Sequence, residues 1–262
     1  MNEEKKVKKE TRNKILKIIE STGYQVNLIA RSLRKKTTGI LIVFVEKNAA
    51  NYIIFDTREI DRRVDYLVER KIPFVIVGRD NVYETTSFVN LDNVKAGYLG
   101  AEHLIKRGNR SIRFFLGDKN FTVNQDRAEG FIQAFNDYHI KSELRHIDYG
   151  IMNPEFAYEK MKNILEEEAP DALFVSGDQR AIGVYHAIQE KGLKIPQDIA
   201  VLGIDNIPLS EYYYPALTTI SQSVRKMAEG AIEILNQLLK DSENHKSQRI
   251  IFQPKLIIRN ST

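Results

Sequence analysis

The sequence predicts an α/β protein built on a doubly wound parallel sheet, or on two such sheets. Apolar runs of strand length recur along the chain without polar interruption, as strands buried on both faces do. Between several of them lie amphipathic stretches with helical spacing, each long enough to carry the crossover that parallel strands require.

In chain order, VKKETRNKILKIIESTGY reads as a helix: Ile15, Leu16, Ile18 and Ile19 share one face, and Gly23 suits the position that ends it. VNLIARSLRKK (26–36) follows, a short helix-compatible stretch with Leu28, Ile29, Ala30 and Leu33 among four cations and no acid. The strands then come as GILIVF (39–44), NYIIF (51–55), FVIVG (74–78), SIRFFLG (111–117), ALFVSG (172–177) and IAVLGID (199–205). Helices are expected over 59–70, 93–107, 126–138, 155–168 and 180–191, and SENHKSQ (242–248) reads as a polar loop. Ligands of such sheets sit beyond the carboxyl ends of the strands. Gly78-Arg79-Asp80, Gly117-Asp118, Gly177-Asp178 and Asp205-Asn206 occupy those places.

The 262 residues suffice for one large domain or two modest ones, and 42% apolar with 28% charged residues is an ordinary globular mix. Without cysteine, neither a disulfide framework nor a thiolate metal site is available, which fits a cytoplasmic protein. No apolar run reaches membrane-spanning length, and MNEEKKVKKE has no apolar stretch behind it as a secretory signal has. The net charge of +4 is unevenly placed: residues 1–36 hold eleven basic and four acidic residues, a local +7, leaving −3 on the remainder. A basic head on a mildly acidic body suits a nucleic-acid contact, although a solvated charged tail has the same composition.

No catalytic constellation emerges. The five histidines are scattered, and there is no HExxH, GxSxG or GxxxxGK[ST], so neither an enzyme nor a metal or other cofactor is implied. A site for a polar small molecule fits better. Asp92, Asp178 and Asp205 each follow or flank an apolar strand, and Arg127 opens a helix after a polar loop. Carboxylates and a guanidinium each hold two hydroxyls at fixed spacing, which suits a polyol. The same aspartates could instead cap the helices that follow.

These residues carry a resemblance to the LacI/GalR (lactose/galactose repressor) family of bacterial transcription regulators, running from about Val7 to Arg259. VKKETRNKILKIIESTGYQVNLIARSLR resembles the family's last head helix and hinge helix. VNLDNVKAGYLGAEHLIKRGNRSI, QDRAEGFIQAF, SGDQRAIGVYHAIQEKGLKIPQDIAVLGIDNIPLSEYYYPALTTI and LIIRNST resemble its later signatures. The resemblance implies a periplasmic-binding-protein-like body of two α/β subdomains with a ligand, a sugar in many members, between them. It implies a hinge helix at residues 27–34 inserted in the minor groove of operator DNA, one per subunit of a homodimer. Asn27, Ala30, Arg31, Leu33, Arg34 and Lys35 would then contact DNA, with Leu33 as the wedge that unstacks a base step and the cations beside phosphates. It assigns ligand contact to Asp92, Arg127, Asp178, Asp205 and Gln222. The implied layout is a head remnant and hinge over 1–36 and a body over 37–262. Subdomain one takes about 39–100 and 223–247, and subdomain two about 101–221 and 248–262, with 249–259 adding a late strand to subdomain two.

The chain departs from the family at three places. Gly177 stands where the family usually has an asparagine that binds sugar. Met1-Asn2 resembles the loop after the recognition helix, so the major-groove reader is absent from this sequence. Within GILIVFVEKNAANYIIF, the first six residues resemble the body's first strand and the rest its third. A helix, a strand and most of a second helix, roughly 45 residues by comparison with the family, would separate them, more than one βαβ unit. Val45–Ala50 is too short to cross between parallel strands, so either residues lie between, or the product is internally deleted, or the stretch refolds as an antiparallel pair. The expected function is a cytoplasmic, ligand-responsive, homodimeric repressor. The alternative is a ligand-binding module that has lost sequence-specific DNA recognition.

Overall fold

The six apolar runs become strands, further strands form at 87–91, 145–148 and 218–221, and the set divides between two sheets. The computed structural model describes residues 40–44, 50–55, 57–58, 61–79, 83–240 and 246–262. The expected hinge contacts Asn27, Ala30, Arg31, Leu33, Arg34 and Lys35, and the seam at 45–49, lie outside the described residues.

The first sheet has the order β1-β2-β3-β4-β10: β1 (Ile40–Phe44), β2 (Ala50–Phe55), β3 (Phe74–Val77), β4 (Ser87–Leu91) and β10 (Arg249–Phe252). Strands β2, β3, β4 and β10 are mutually parallel. β1 runs antiparallel to β2, with Ile40 opposite Ile54 and Phe44 opposite Ala50. That is the geometry a link too short for a crossover allows. The second sheet has the order β11-β9-β8-β7-β5-β6. Its members are β5 (Ile112–Phe115), β6 (Arg145–Asp148), β7 (Ala172–Val175), β8 (Ala200–Asp205), β9 (Thr218–Ser221) and β11 (Lys255–Ile257). All are parallel except β11, which pairs antiparallel with β9.

Helices α1 (Arg62–Glu69), α2 (Asn93–Lys106), α3 (Thr122–Asp137), α4 (Pro154–Glu167), α5 (Asp178–Glu190) and α6 (Val224–Lys240) cover the sheets. Their starts follow ordinary capping chemistry: the side chains of Asp61, Asp92 and Asn153 accept amide hydrogens of the first turns of α1, α2 and α4. In the second lobe Phe114 stacks on Phe174 at 4.1 Å between ring centres, with Phe131 and Phe135 beside them, all fully buried.

The expected division of the chain needs correction. α2 packs on α3 and on the second sheet, so the crossing between lobes lies at Leu91–Asn93. The stretch 249–259 is not one strand of the second lobe: β10 pairs with β4 in the first sheet and β11 with β9 in the second. The switch falls at Gln253-Pro254, where proline offers no amide to continue a ladder.

One contact positions the rest of the second lobe. A Cβ on Gly97 would lie 2.0 Å from the carbonyl oxygen of Arg127, and one on Gly130 1.8 Å from that of Val94. Helices α2 and α3 therefore cross backbone to backbone, a spacing only glycine permits at those two sites. Gly97→Ala should cost about 1–3 kcal/mol by overpacking, read as a lower urea midpoint at unchanged m-value.

Candidate functional site

The segments that follow β2, β3, β4 and β9 meet between the lobes. A small cavity of about 60 Å³ lies there, with Thr57, Gly78 and Asn90 on the first-lobe side and Asn93, Asp126 and Gln222 among its other walls.

Arg127 stands on the second turn of α3 with only 6% of its surface exposed. Its Nε donates to Asn93 Oδ1 at 3.0 Å and its Nη1 to Ser176 Oγ at 2.8 Å. Asn93 is oriented in turn: its Nδ2 donates to Asn90 Oδ1 and to the Leu91 carbonyl, both at 3.1 Å. The close α2–α3 crossing makes this possible, because it brings the first residue of α2 within reach of Arg127.

Asp205 ends β8 with φ of +133°, and Asn206 follows at +55°. Both lie in the left-handed region that side chains rarely adopt. Gln222 Nε2 donates to Asp205 Oδ1, so the expected pair Asp205 and Gln222 do meet. Burial pushes the Asp205 carboxyl above the usual carboxylate range, opposed by the nearby Arg127 guanidinium.

Two expected ligand residues are placed elsewhere. Asp92 is the N-cap of α2 and accepts the Lys95 amide at 2.9 Å, which is the capping alternative. Asp178 is fully buried and takes neither expected role. It is the first residue of α5, whose N-cap is Gly177 without a side-chain bond. Its carboxylate accepts from Ser210 Oγ at 2.5 Å, Thr219 Oγ1 at 2.7 Å and the Ile207 amide at 3.2 Å. The Asn206 amide reaches Thr219 Oγ1 at 3.3 Å. Asp178 therefore anchors, from beneath, the turn that presents Asp205. Gly203 leaves it room, since a Cβ there would stand 2.1 Å from Asp178 Oδ1. Its carboxyl is raised by burial against these donors.

Sequence reasoning missed Asn90, Asn93 and Ser176. Asn93 and Ser176 follow strands β4 and β7 at their carboxyl ends, so inspecting every strand end for amides and hydroxyls as well as for charges would have found them. Among the described residues no group of histidines and carboxylates could hold a metal ion, and no helix is long and apolar enough to cross a membrane.

A periplasmic binding protein-like domain model matches residues 101–262, more than half of the chain. The chain belongs to that family. Its sequence relatives bear out the resemblance to the LacI/GalR family. It is 30% identical over 231 residues to the HTH-type transcriptional repressor PurR of Actinobacillus pleuropneumoniae serotype 3 (strain JL03), covering 87% of this chain and 65% of that repressor. The chain thus spans just under two thirds of the length of the first relatives it matches. It is 28% identical over 311 residues to PurR of Pasteurella multocida (strain Pm70), covering all of this chain and 92% of that protein. With 262 residues here, at least 49 aligned positions have no counterpart in this chain. The crystal structure of a LacI family transcriptional regulator from Enterococcus faecium with bound ribose superposes with a TM-score of 0.74 at 24% identity, covering 81% of this chain and 79% of that one. The expected periplasmic-binding-protein-like fold and the LacI/GalR family are thereby borne out.

The Asp205 carboxyl gives this fold a pH signature. Its folded pKa is raised, so the native state holds the proton more tightly than the unfolded chain does. That contribution to stability is complete below the ordinary carboxylate pKa of about 4 and is lost as pH rises through the folded value. Asp205→Asn removes the effect, so its stability relative to the parent should grow from pH 4 to pH 7 in urea titrations. A constant difference across that range would contradict this account.

Proposed function

We propose that this chain is a ligand-responsive transcription regulator, most simply a repressor, that acts by binding and not by catalysis. Its effector is hydroxyl-rich, a sugar or close relative, bound between the lobes. The observation that carries this reading is the convergence of Arg127, steadied by Asn93 and Ser176, with Asp205, steadied by Gln222, at the carboxyl ends of second-lobe strands β7, β8 and β9, where the chain crosses to the first lobe. Fixed donors on one side and a fixed acceptor on the other suit vicinal hydroxyls. The PurR relatives and the ribose-bound LacI-family neighbour support the class.

DNA contact belongs to the +7 head, with Asn27, Ala30, Leu33 and the cations Arg31, Arg34 and Lys35 on the minor groove. Effector binding shifts the relative angle of the lobes and thereby the population of a DNA-competent hinge. A protein working on DNA in this way resides in the cytoplasm. The test is a fluorescence-anisotropy titration of duplex DNA at two salt concentrations, with and without each of a panel of neutral pentoses and hexoses. DNA affinity should fall steeply with salt and change with one sugar. In Arg127→Ala the affinity for that sugar should drop by one to two decades, about 1.5–3 kcal/mol for a lost charge-assisted hydrogen bond. No sugar response, or unchanged calorimetric affinity in the variant, would count against the site.

We place the homodimer contact on the second lobe. Phe156 on α4, Ile182 on α5 and the segment holding Leu209, Tyr212 and Tyr214 carry exposed apolar side chains, Tyr212 at 80% and Tyr214 at 88%. They adjoin: α4 abuts α5 at Gly183, whose Cβ would meet the Pro154 carbonyl at 1.9 Å. Gln189 of α5 also donates to the Tyr214 carbonyl at 3.1 Å. A contiguous apolar face of this kind marks an interaction surface. Ile182→Glu should lower the sedimentation coefficient from that of a dimer to that of a monomer while leaving sugar affinity per protomer unchanged.

A further inference from the structure

The cavity at the lobe junction is small for an effector. Ligand pockets ordinarily measure about 300–1,000 Å³, whereas this one holds about 60 Å³. Asp126, on α3 of the second lobe immediately before Arg127, is one of its walls, and Arg79, just beyond β3 of the first lobe, meets it there. The guanidinium engages both carboxylate oxygens: Nε donates to Oδ2 at 2.7 Å and Nη2 to Oδ1. Asp126 is almost fully buried and Arg79 about one quarter exposed. Around the pair, Thr57 Oγ1 donates to the Arg79 carbonyl. The amide and hydroxyl of Thr122 donate to the Thr57 carbonyl at 3.1 and 3.2 Å. Beside them the Arg58 guanidinium covers the Phe121 ring at 4.9 Å.

We propose that Arg79 and Asp126 are effector-site residues that, without effector, satisfy each other across the cleft and latch the lobes shut. The proposal rests on the reading of this cleft as the effector site. The two charges come from different lobes, so they must part when the lobes separate, and the bidentate pairing between them is lost. A guanidinium calls for acceptors and a carboxylate for donors. A neutral hydroxyl-rich molecule supplies both from the same groups, accepting from Arg79 and donating to Asp126. The effector therefore exchanges for the ion pair instead of filling an empty pocket. A strongly anionic ligand would serve Arg79 and be repelled by Asp126, so the latch selects for uncharged polyols.

The amide of Thr122 reports on the latch. Thr122 is the first residue of α3, where an amide has no acceptor within its own helix. Its protection from exchange rests on the Thr57 carbonyl across the junction. Site-resolved hydrogen exchange on the effector-free full chain compares the parent with Arg79→Ala, Asp126→Asn and the exchanged pair Arg79→Glu/Asp126→Arg. Thr122 should exchange at least tenfold faster in each single variant and slow again in the exchanged pair. The interior amides of Phe114 and Val201 should stay protected, showing both variants folded. Unchanged Thr122 exchange in both single variants overturns the latch, as does a failure of the exchanged pair to recover, which would assign the effect to packing alone. The measurement needs no effector. Absence of any sugar response in the DNA titration thus sinks the functional reading, and unchanged Thr122 exchange sinks the latch.

Discussion

The backbone-to-backbone crossing of α2 and α3 is the constraint on which the site depends. With Gly97 against the Arg127 carbonyl and Gly130 against that of Val94, the helices lie nearer than any side chain would permit. That spacing puts Asn93, the first residue of one helix, beside Arg127 on the second turn of the other. It also seats Gly100 over the Phe174 ring, at the centre of the aromatic stack. One packing decision thus fixes the core of the second lobe and the direction of its buried guanidinium. A charge so fully withdrawn from water must be compensated locally, and Asn93, Ser176 and the nearby Asp205 do so.

Two aspartates near the junction, Asp178 fully buried and Asp205 partly exposed, differ in what surrounds them. Asp178 accepts from the turn at 207–210 and from Thr219 of β9 and faces inward, so its work is to hold a turn. Asp205 sits on that turn in a conformation that its own side chain disfavours and is held on one side by Gln222. The strain at Asp205 and Asn206, of order 1–3 kcal/mol per residue, persists because Asp178, Thr219 and Ser210 over-determine the turn. A rigid acceptor is what recognition of a hydroxyl requires, since a floppy one would lose in ordering what it gains in contact.

The first lobe is thin by comparison. Its sheet has five strands, of which β1 is an antiparallel edge and β10 arrives from the far end of the chain. The lobes meet through hydrogen bonds and an ion pair among Thr57, Arg79, Thr122 and Asp126, beside an apolar cluster that runs through both.

The sequence by itself determined the α/β class, most of the strands, the five helices between them and the family, because these rest on local periodicity and on motifs that survive in linear order. That Arg127, Asp205 and Gln222 lie close together was legible for the same reason. The tertiary structure alone decided that β1 turns back antiparallel, that 249–259 splits between two sheets at Pro254, and that Asp92 caps a helix. It alone turned Asp178 inward and paired Arg79 with Asp126. These outcomes depend on partners distant in sequence: Ser210 and Thr219 for Asp178, β4 for β10, and a carboxylate on the opposite lobe for Arg79. An aspartate after a strand looks the same in sequence whether it meets solvent, a helix amide or a buried hydroxyl. Only the packing of the two lobes selects among them.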